Sequence, residues 1–127
     1  TNPELLKHLV SNKLVDYIAM DIKAPLKFEK YKQIAGRTFN ENMFSQIKSS
    51  LRLLNKGKVE HEFRTTLDSS LTANDVEKIA ESISGHYFLQ MVHTEKNLIK
   101  QDEINRSALN LEHILMKKRK NLVIKRR

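Results

Sequence analysis

The sequence predicts an α/β fold built from parallel βαβ repeats, and three observations predict it. Short apolar runs of strand-like composition alternate along the chain with segments of helical periodicity. Short connections that carry Gly, Pro or Asn separate many of these segments. The resulting order, α-β-(α)-α-β-α-β-α-β, is typical of a parallel sheet whose crossover connections are helices.

The first helix is predicted from the signals at its start. Asn2 is suited to the N-cap, Pro3 to the first helical position and Glu4 to the first turn. Apolar residues then recur at helical spacing to about Asn12. Because the order begins on a helix, it predicts a further strand before this one.

The first strand and two more helices follow. Residues 15–22, VDYIAMDI, form an apolar strand-like run. Residues 26–36 are predicted to hold a short helix that ends at Gly36. Asn40 is predicted to cap the next helix, which Gly57 ends. The apolar stripe of that helix consists of Met43, Phe44, Ile47, Leu51 and Leu54.

The second half of the chain repeats this alternation. Residues 59–66 are predicted to form a strand, and Thr72 with Asp75 predicts a capping box for a helix that Gly85 ends. Residues 86–92 are predicted to form the next strand. The remaining predictions are a loop at 93–106, a helix at about 108–119 and a strand at 122–124.

Composition bounds the class of protein. The 127 residues are enough for one domain with a core, and they contain no cysteine. Disulfides, thiolate nucleophiles and cysteine-ligated metal or iron–sulfur sites are therefore excluded within this chain. No apolar run approaches the ~20 residues of a membrane span, and no secretory signal is found. We expect a cytoplasmic protein, and the net charge of +8 is compatible with an acidic partner or with a solvated basic surface.

Alternation along the first two strands places charged residues on one face. Ile22 ends the apolar face of the first strand, whereas Asp21 and Lys23 lie on the opposite face. On the second strand, Phe63 lies on the apolar face and Arg64 lies on the opposite face. An open sheet covered on both sides needs two apolar faces, whereas a barrel accepts polar side chains at its strand ends. The pattern favours part of a (β/α) barrel over an open doubly wound sheet.

Two interpretations of these charges remain. Asp21, Lys23 and Arg64 could converge on one ligand site, or they could form an interior salt-bridge cluster with Glu62. The charges lie at strand ends, which favours the ligand site. The histidines have no ligand-like spacing, so a metal site is not predicted.

One family resemblance is carried by three stretches of sequence. The run TNPELLKHLVSNKLVDYIAMDIKAPL, followed by EFRTT and YFLQ, resembles the C-terminal half of the radical SAM enzymes that activate glycyl radical enzymes. The most similar types are the activator of anaerobic ribonucleoside-triphosphate reductase and the pyruvate formate-lyase activating enzyme. The resemblance implies that residues 1–127 are one domain, the C-terminal portion of a partial (β/α)6 TIM-like barrel.

The resemblance also implies an oxidoreductase activity. Such enzymes use S-adenosylmethionine and a [4Fe-4S] cluster held by a Cys-x3-Cys-x2-Cys loop to generate a radical on a glycine of the partner enzyme. That loop and the family's glycine-rich motif both lie in the N-terminal half of these enzymes. The loop has no counterpart here because the chain has no cysteine, and the glycine-rich motif is absent as well. The chain alone is therefore predicted to be inactive.

The site residues that the resemblance implies are all cofactor-binding. Asp21 and Lys23 match the family's Asp-x-Lys, and Arg64 matches a basic residue at the next strand end. Gln90 and His93 fall where the following strand meets the site. Ribose hydroxyls, an α-carboxylate and an α-amine are suitable partners for such side chains. Two runs depart from the family pattern, because FRTTLDSS and QMVHT lack its prolines.

Two other classes of function stay open. The basic clusters at 117–120 and 125–127 would suit a module that binds nucleic acid or protein. An inactive remnant that self-associates through unpaired sheet edges is the other class. The chain's origin as a fragment, a split gene or a degenerate homologue is likewise open.

Overall fold

The computed structural model describes residues 2–67, 71–91 and 122–126. The helices are α1 (Pro3–Ser11), α2 (Phe28–Ala35), α3 (Glu41–Asn55) and α4 (Ala73–Glu81), and the strands are β1 (Tyr17–Asp21), β2 (Glu60–Leu67), β3 (Gly85–Met91) and β4 (Leu122–Arg126). The loop predicted at 93–106 and the helix predicted at 108–119 lie outside the described residues. Within the described ranges, no helix has the length and apolarity that a membrane span requires.

The predicted helix ends are largely confirmed. The side chain of Asn2 accepts a hydrogen bond from the Leu5 N–H at 3.1 Å, and Asn40 caps α3 in the same way. Gly36 follows α2 with a φ of 110°, a conformation that few other residues adopt. The prediction that Gly85 ends α4 is wrong, because α4 ends at Glu81 and Gly85 begins β3. The chain tightens after α4, where the Ser82 N–H donates to the Ile79 carbonyl three residues back.

The four described strands form one parallel sheet in the order β1-β2-β3-β4. Spatial order therefore follows chain order, and all the carboxyl ends lie at one edge of the sheet. Asp21 lies opposite Arg64, and Thr66 lies opposite Gln90. The predicted α/β class and parallel pairing are confirmed.

One hydrophobic core lies between the sheet and the helices. Alternate residues of β1 to β3 enter it, as the period of two predicts. The strand residues buried in this core are Met20, Phe63, Leu67, Tyr87 and Leu89, with Ile22 just beyond β1. The helices contribute Tyr31, Phe44, Ile47, Leu51, Leu54, Val76, Ile79 and Ala80.

A capping box begins α4 and joins that helix to α2. The Thr72 hydroxyl accepts from the Asp75 N–H at 3.2 Å, and the Asp75 carboxylate accepts from the Thr72 N–H at 3.0 Å. The Lys30 ammonium lies 3.4 Å from the same carboxylate. Burial alone would raise the pKa of Asp75, but these hydrogen bonds and the Lys30 charge outweigh it and hold the pKa below its ordinary value.

We expect Asp75→Asn to lower the free energy of unfolding at neutral pH by about 0.5–1 kcal/mol. A carboxylate whose pKa is lowered by folding stabilises above its unfolded pKa, and this contribution is lost as the pH falls through the folded pKa. Urea unfolding at pH 6 and pH 3 should therefore show the variant and wild-type curves converging at the acid pH. Asp16→Asn, at an exposed position, is the control. A gap of equal size at both pH values would contradict the role of this charge.

Candidate functional site

An ion pair joins the carboxyl ends of β1 and β2. The Arg64 Nε donates to the Asp21 Oδ1 at 2.9 Å. The Asp21 side chain is 61% exposed and that of Arg64 is 30% exposed. A pair this exposed contributes about 0–1 kcal/mol to stability. The carboxylate and the guanidinium therefore remain accessible to a ligand.

Gln90 lies at the same edge, two residues further along its strand than the position opposite Arg64. It lies opposite Thr66, whose hydroxyl is 3.5 Å from the Gln90 side-chain oxygen, a long hydrogen bond. The residue opposite Arg64 is Phe88, which is half-buried. The structure thus places three of the predicted residues, Asp21, Arg64 and Gln90, at one end of neighbouring strands.

Lys23 comes two residues after β1, and its side chain is exposed. Its backbone N–H donates to the Tyr31 hydroxyl at 3.2 Å. Within the described part of the chain, its ammonium forms no ion pair. Of the interior salt-bridge cluster considered above, the described residues form the Asp21–Arg64 pair, while Glu62 accepts a hydrogen bond from Tyr17 at 2.8 Å. His93 lies outside the described residues.

Tyr31 is a neighbour of the site that the sequence did not predict. It is buried, with 2% of its surface exposed. Burial raises the pKa of Tyr31, the hydrogen bond from the Lys23 backbone opposes this, and the Asp21 charge raises the pKa further. Tyr31 lies three residues after Phe28, a helical spacing that could have indicated its burial, but no pattern in the sequence indicates its contact with Lys23.

Behind the site, a buried chain of hydrogen bonds runs on the helix-facing side from β3 through β2 to the residue that follows β1. The Tyr87 hydroxyl donates to the Thr65 Oγ1 at 2.6 Å, and the Thr65 hydroxyl donates to the Ile22 carbonyl at 2.8 Å. All three residues are at most 1% exposed. Burial raises the pKa of Tyr87, and the hydrogen bond with Thr65 offsets this only in part, so the phenol remains a proton donor. Alternation predicts which way Thr65 faces, but not this bonding.

A cavity of about 620 Å³ lies beside β1 on the helix-facing side. Residues of α1, β1, α2 and α3 line it, among them Asp21 and Tyr31, and so does Lys23 after β1. Ser50 also lines it, with a buried hydroxyl that has no hydrogen-bond partner among the described residues. Of the described strands, only β2 pairs with β1. The surface beside the unpaired edge of β1 is therefore hollow and largely apolar.

The side chains at the carboxyl ends of β1 and β2 suit a ligand that carries hydroxyl and carboxylate groups. A carboxylate accepts hydrogen bonds from hydroxyls or an amine, and a guanidinium or ammonium binds a carboxylate. Asp21 supplies the first function, and Arg64 and Lys23 supply the second. Within the described ranges, no group of three or more His, Asp or Glu residues could hold a metal ion.

Comparison with known proteins finds similarity to a Methanocaldococcus jannaschii protein that is provisionally named a glycyl-radical enzyme activating enzyme. The two are 35% identical over 85 residues, which are 65% of this chain and 35% of that protein. The chain thus spans about a third of the length of its relative. No family model and no solved structure matches the chain. The similarity relates this part of the chain to part of that protein.

Proposed function

We propose that this chain is the C-terminal portion of a radical SAM activating enzyme that generates a glycyl radical on a partner enzyme. The partner would be of the anaerobic ribonucleoside-triphosphate reductase or pyruvate formate-lyase type. The observation that carries the proposal is the accessible Asp21–Arg64 pair at the carboxyl ends of adjacent parallel strands. Ligand sites of parallel α/β folds are built at such ends. The similarity to the M. jannaschii protein supports the assignment of the chain to this class of enzyme.

The arrangement of the sheet supports the proposal that these strands form part of the wall of a (β/α) barrel. Strand order follows chain order, the helices pack on one face, and polar residues line the other face toward the strand ends. These are the features of a barrel wall, whose interior is polar near the carboxyl ends. The edge of β1 with which no described strand pairs, and the cavity beside it, would receive a preceding strand and helix from the N-terminal half.

The residues present fit S-adenosylmethionine but not the iron–sulfur cluster. Asp21 would accept from the ribose hydroxyls, and Arg64 and Lys23 would bind the methionine carboxylate, with Gln90 and His93 as further polar partners. When bound, S-adenosylmethionine supplies the species that abstracts hydrogen from a glycine. The chain has no cysteine, so it offers the cluster no thiolate ligand. We therefore propose that this chain positions S-adenosylmethionine and that the N-terminal half holds the cluster.

Titration of S-adenosylmethionine into the isotopically labelled chain, followed by amide chemical shifts, tests the proposal. We expect saturable shifts at Asp21, Lys23, Arg64 and Gln90, with a dissociation constant of about 1 mM because half of the pocket is missing. Titrations with adenosine and with methionine alone should give weaker binding. Lys58→Ala, an exposed change before the start of β2, should bind like the wild type. The absence of saturable shifts, or shifts confined to α4, would refute the cofactor site.

A further inference from the structure

The hydrogen-bond chain from Tyr87 through Thr65 to Ile22 has a role that the site residues themselves do not explain. We propose that Thr65 is a positioning residue, and that its hydroxyl, oriented by Tyr87, fixes the backbone that carries Asp21 and Lys23 into the site. The link of this inference to S-adenosylmethionine rests on the proposed function. The positioning role itself is argued from the geometry of the backbone after β1.

Ile22 is the residue between the two site residues, and it is held from two sides. Its N–H donates to the Arg64 carbonyl at 2.8 Å, and its carbonyl accepts from the Thr65 hydroxyl at 2.8 Å. The Lys23 N–H, which belongs to the same peptide unit as the Ile22 carbonyl, donates to Tyr31 at 3.2 Å. Both polar groups of this peptide are thus bound by side chains. A flip of the peptide would break both bonds.

Tyr87 determines which way the Thr65 hydroxyl points. A hydroxyl carries one proton and can rotate to serve several acceptors. The Tyr87 phenol occupies one lone pair of the Thr65 Oγ1 at 2.6 Å, which leaves the threonine proton free to point at Ile22. Because these residues are at most 1% exposed, solvent does not compete for these bonds. Tyr87 of β3 therefore helps to fix the position of the carboxyl end of β1 through Thr65 of β2.

The test compares three variants of the 127-residue chain by the same S-adenosylmethionine titration. We expect Thr65→Val to weaken binding about tenfold and Tyr87→Phe about threefold, while Thr65→Ser, which keeps the hydroxyl, stays near the wild type. Ile79→Val is the control, because it is a buried change on α4 that removes no hydrogen-bonding group. It should lower the melting temperature without changing the dissociation constant. Wild-type binding by Thr65→Val, or failure of Thr65→Ser to restore binding, would overturn the proposal.

A second measurement separates this inference from the proposed function. If the wild-type chain does not bind S-adenosylmethionine, the cofactor site fails, but the positioning claim can still be decided by amide hydrogen exchange. We expect the Lys23 amide to exchange about tenfold faster in Thr65→Val, and not in Thr65→Ser or Ile79→Val. Unchanged exchange of that amide in Thr65→Val would refute the positioning role.

Discussion

Phe63→Ala is expected to lower the free energy of unfolding by about 3–5 kcal/mol. Phe63 is fully buried in β2, and it lies between Met20 of β1 and Tyr87 of β3 in the sheet register. Its removal leaves a cavity where the three strands meet the helices. Because a domain has only about 5–15 kcal/mol of stability in total, the variant should unfold at a much lower urea concentration.

Urea unfolding followed by circular dichroism measures this loss. Leu14→Ala is the matched control, since Leu14 is also a large apolar residue but is 60% exposed. Its free energy of unfolding should change by about 0.5 kcal/mol or less. A loss below about 1.5 kcal/mol for Phe63→Ala would contradict the placement of the core on this face of the sheet.

Arg64→Gln is expected to weaken S-adenosylmethionine binding more than about tenfold and to change stability by less than about 1 kcal/mol. The reason is the exposure of the pair, since Asp21 is 61% exposed and an exposed ion pair stabilises the fold weakly. Loss of the guanidinium removes the cation that would bind the methionine carboxylate. Asp21→Asn should act in the same direction through the ribose hydroxyls.

The control for Arg64→Gln is Lys30→Gln. It also removes one cation from an ion pair, with Asp75 at 3.4 Å, but this pair joins α2 to α4 and includes none of the proposed site residues. It should leave the dissociation constant unchanged. If Arg64→Gln lowered stability by several kcal/mol while binding persisted, the pair would be a structural element and the ligand-site interpretation would be wrong.

Local sequence signals predicted the features that depend on neighbours in the chain. Asn2, Asn40 and the Thr72–Asp75 capping box act within one helical turn, so spacing alone identifies them. The side chains at the ends of the first two strands were also predictable. Alternation fixes their face, and parallel strands bring their carboxyl ends together. These two rules place Asp21 and Arg64 on one face at one end of the sheet, whereas the contact between them also depends on the register of β1 with β2.

Features that depend on the register between distant segments were not predictable in this way. The Tyr87–Thr65 and Thr65–Ile22 hydrogen bonds join residues 22 and 43 positions apart. Their geometry depends on how the strands pair, which no single-sequence period determines. The wrong helix end at Gly85 has a similar cause, because a glycine signal indicates a break without specifying whether a helix ends or a strand begins.

The number of residues between paired strands differs across the sheet, and this difference affects the order in which the domain assembles. The side-chain contact between β2 and β3 at Thr66 and Gln90 spans 24 residues, whereas the Asp21–Arg64 contact spans 43. Closing the longer loop costs about 0.5 kcal/mol more entropy, and β1 is paired on one side only among the described strands. We therefore expect β1 to dock after β2 and β3 have paired, and to open before those two strands separate. The acidic half of the ion pair would then lie on a less protected strand than the basic half, so a ligand that bridges Asp21 and Arg64 would slow the local opening of β1.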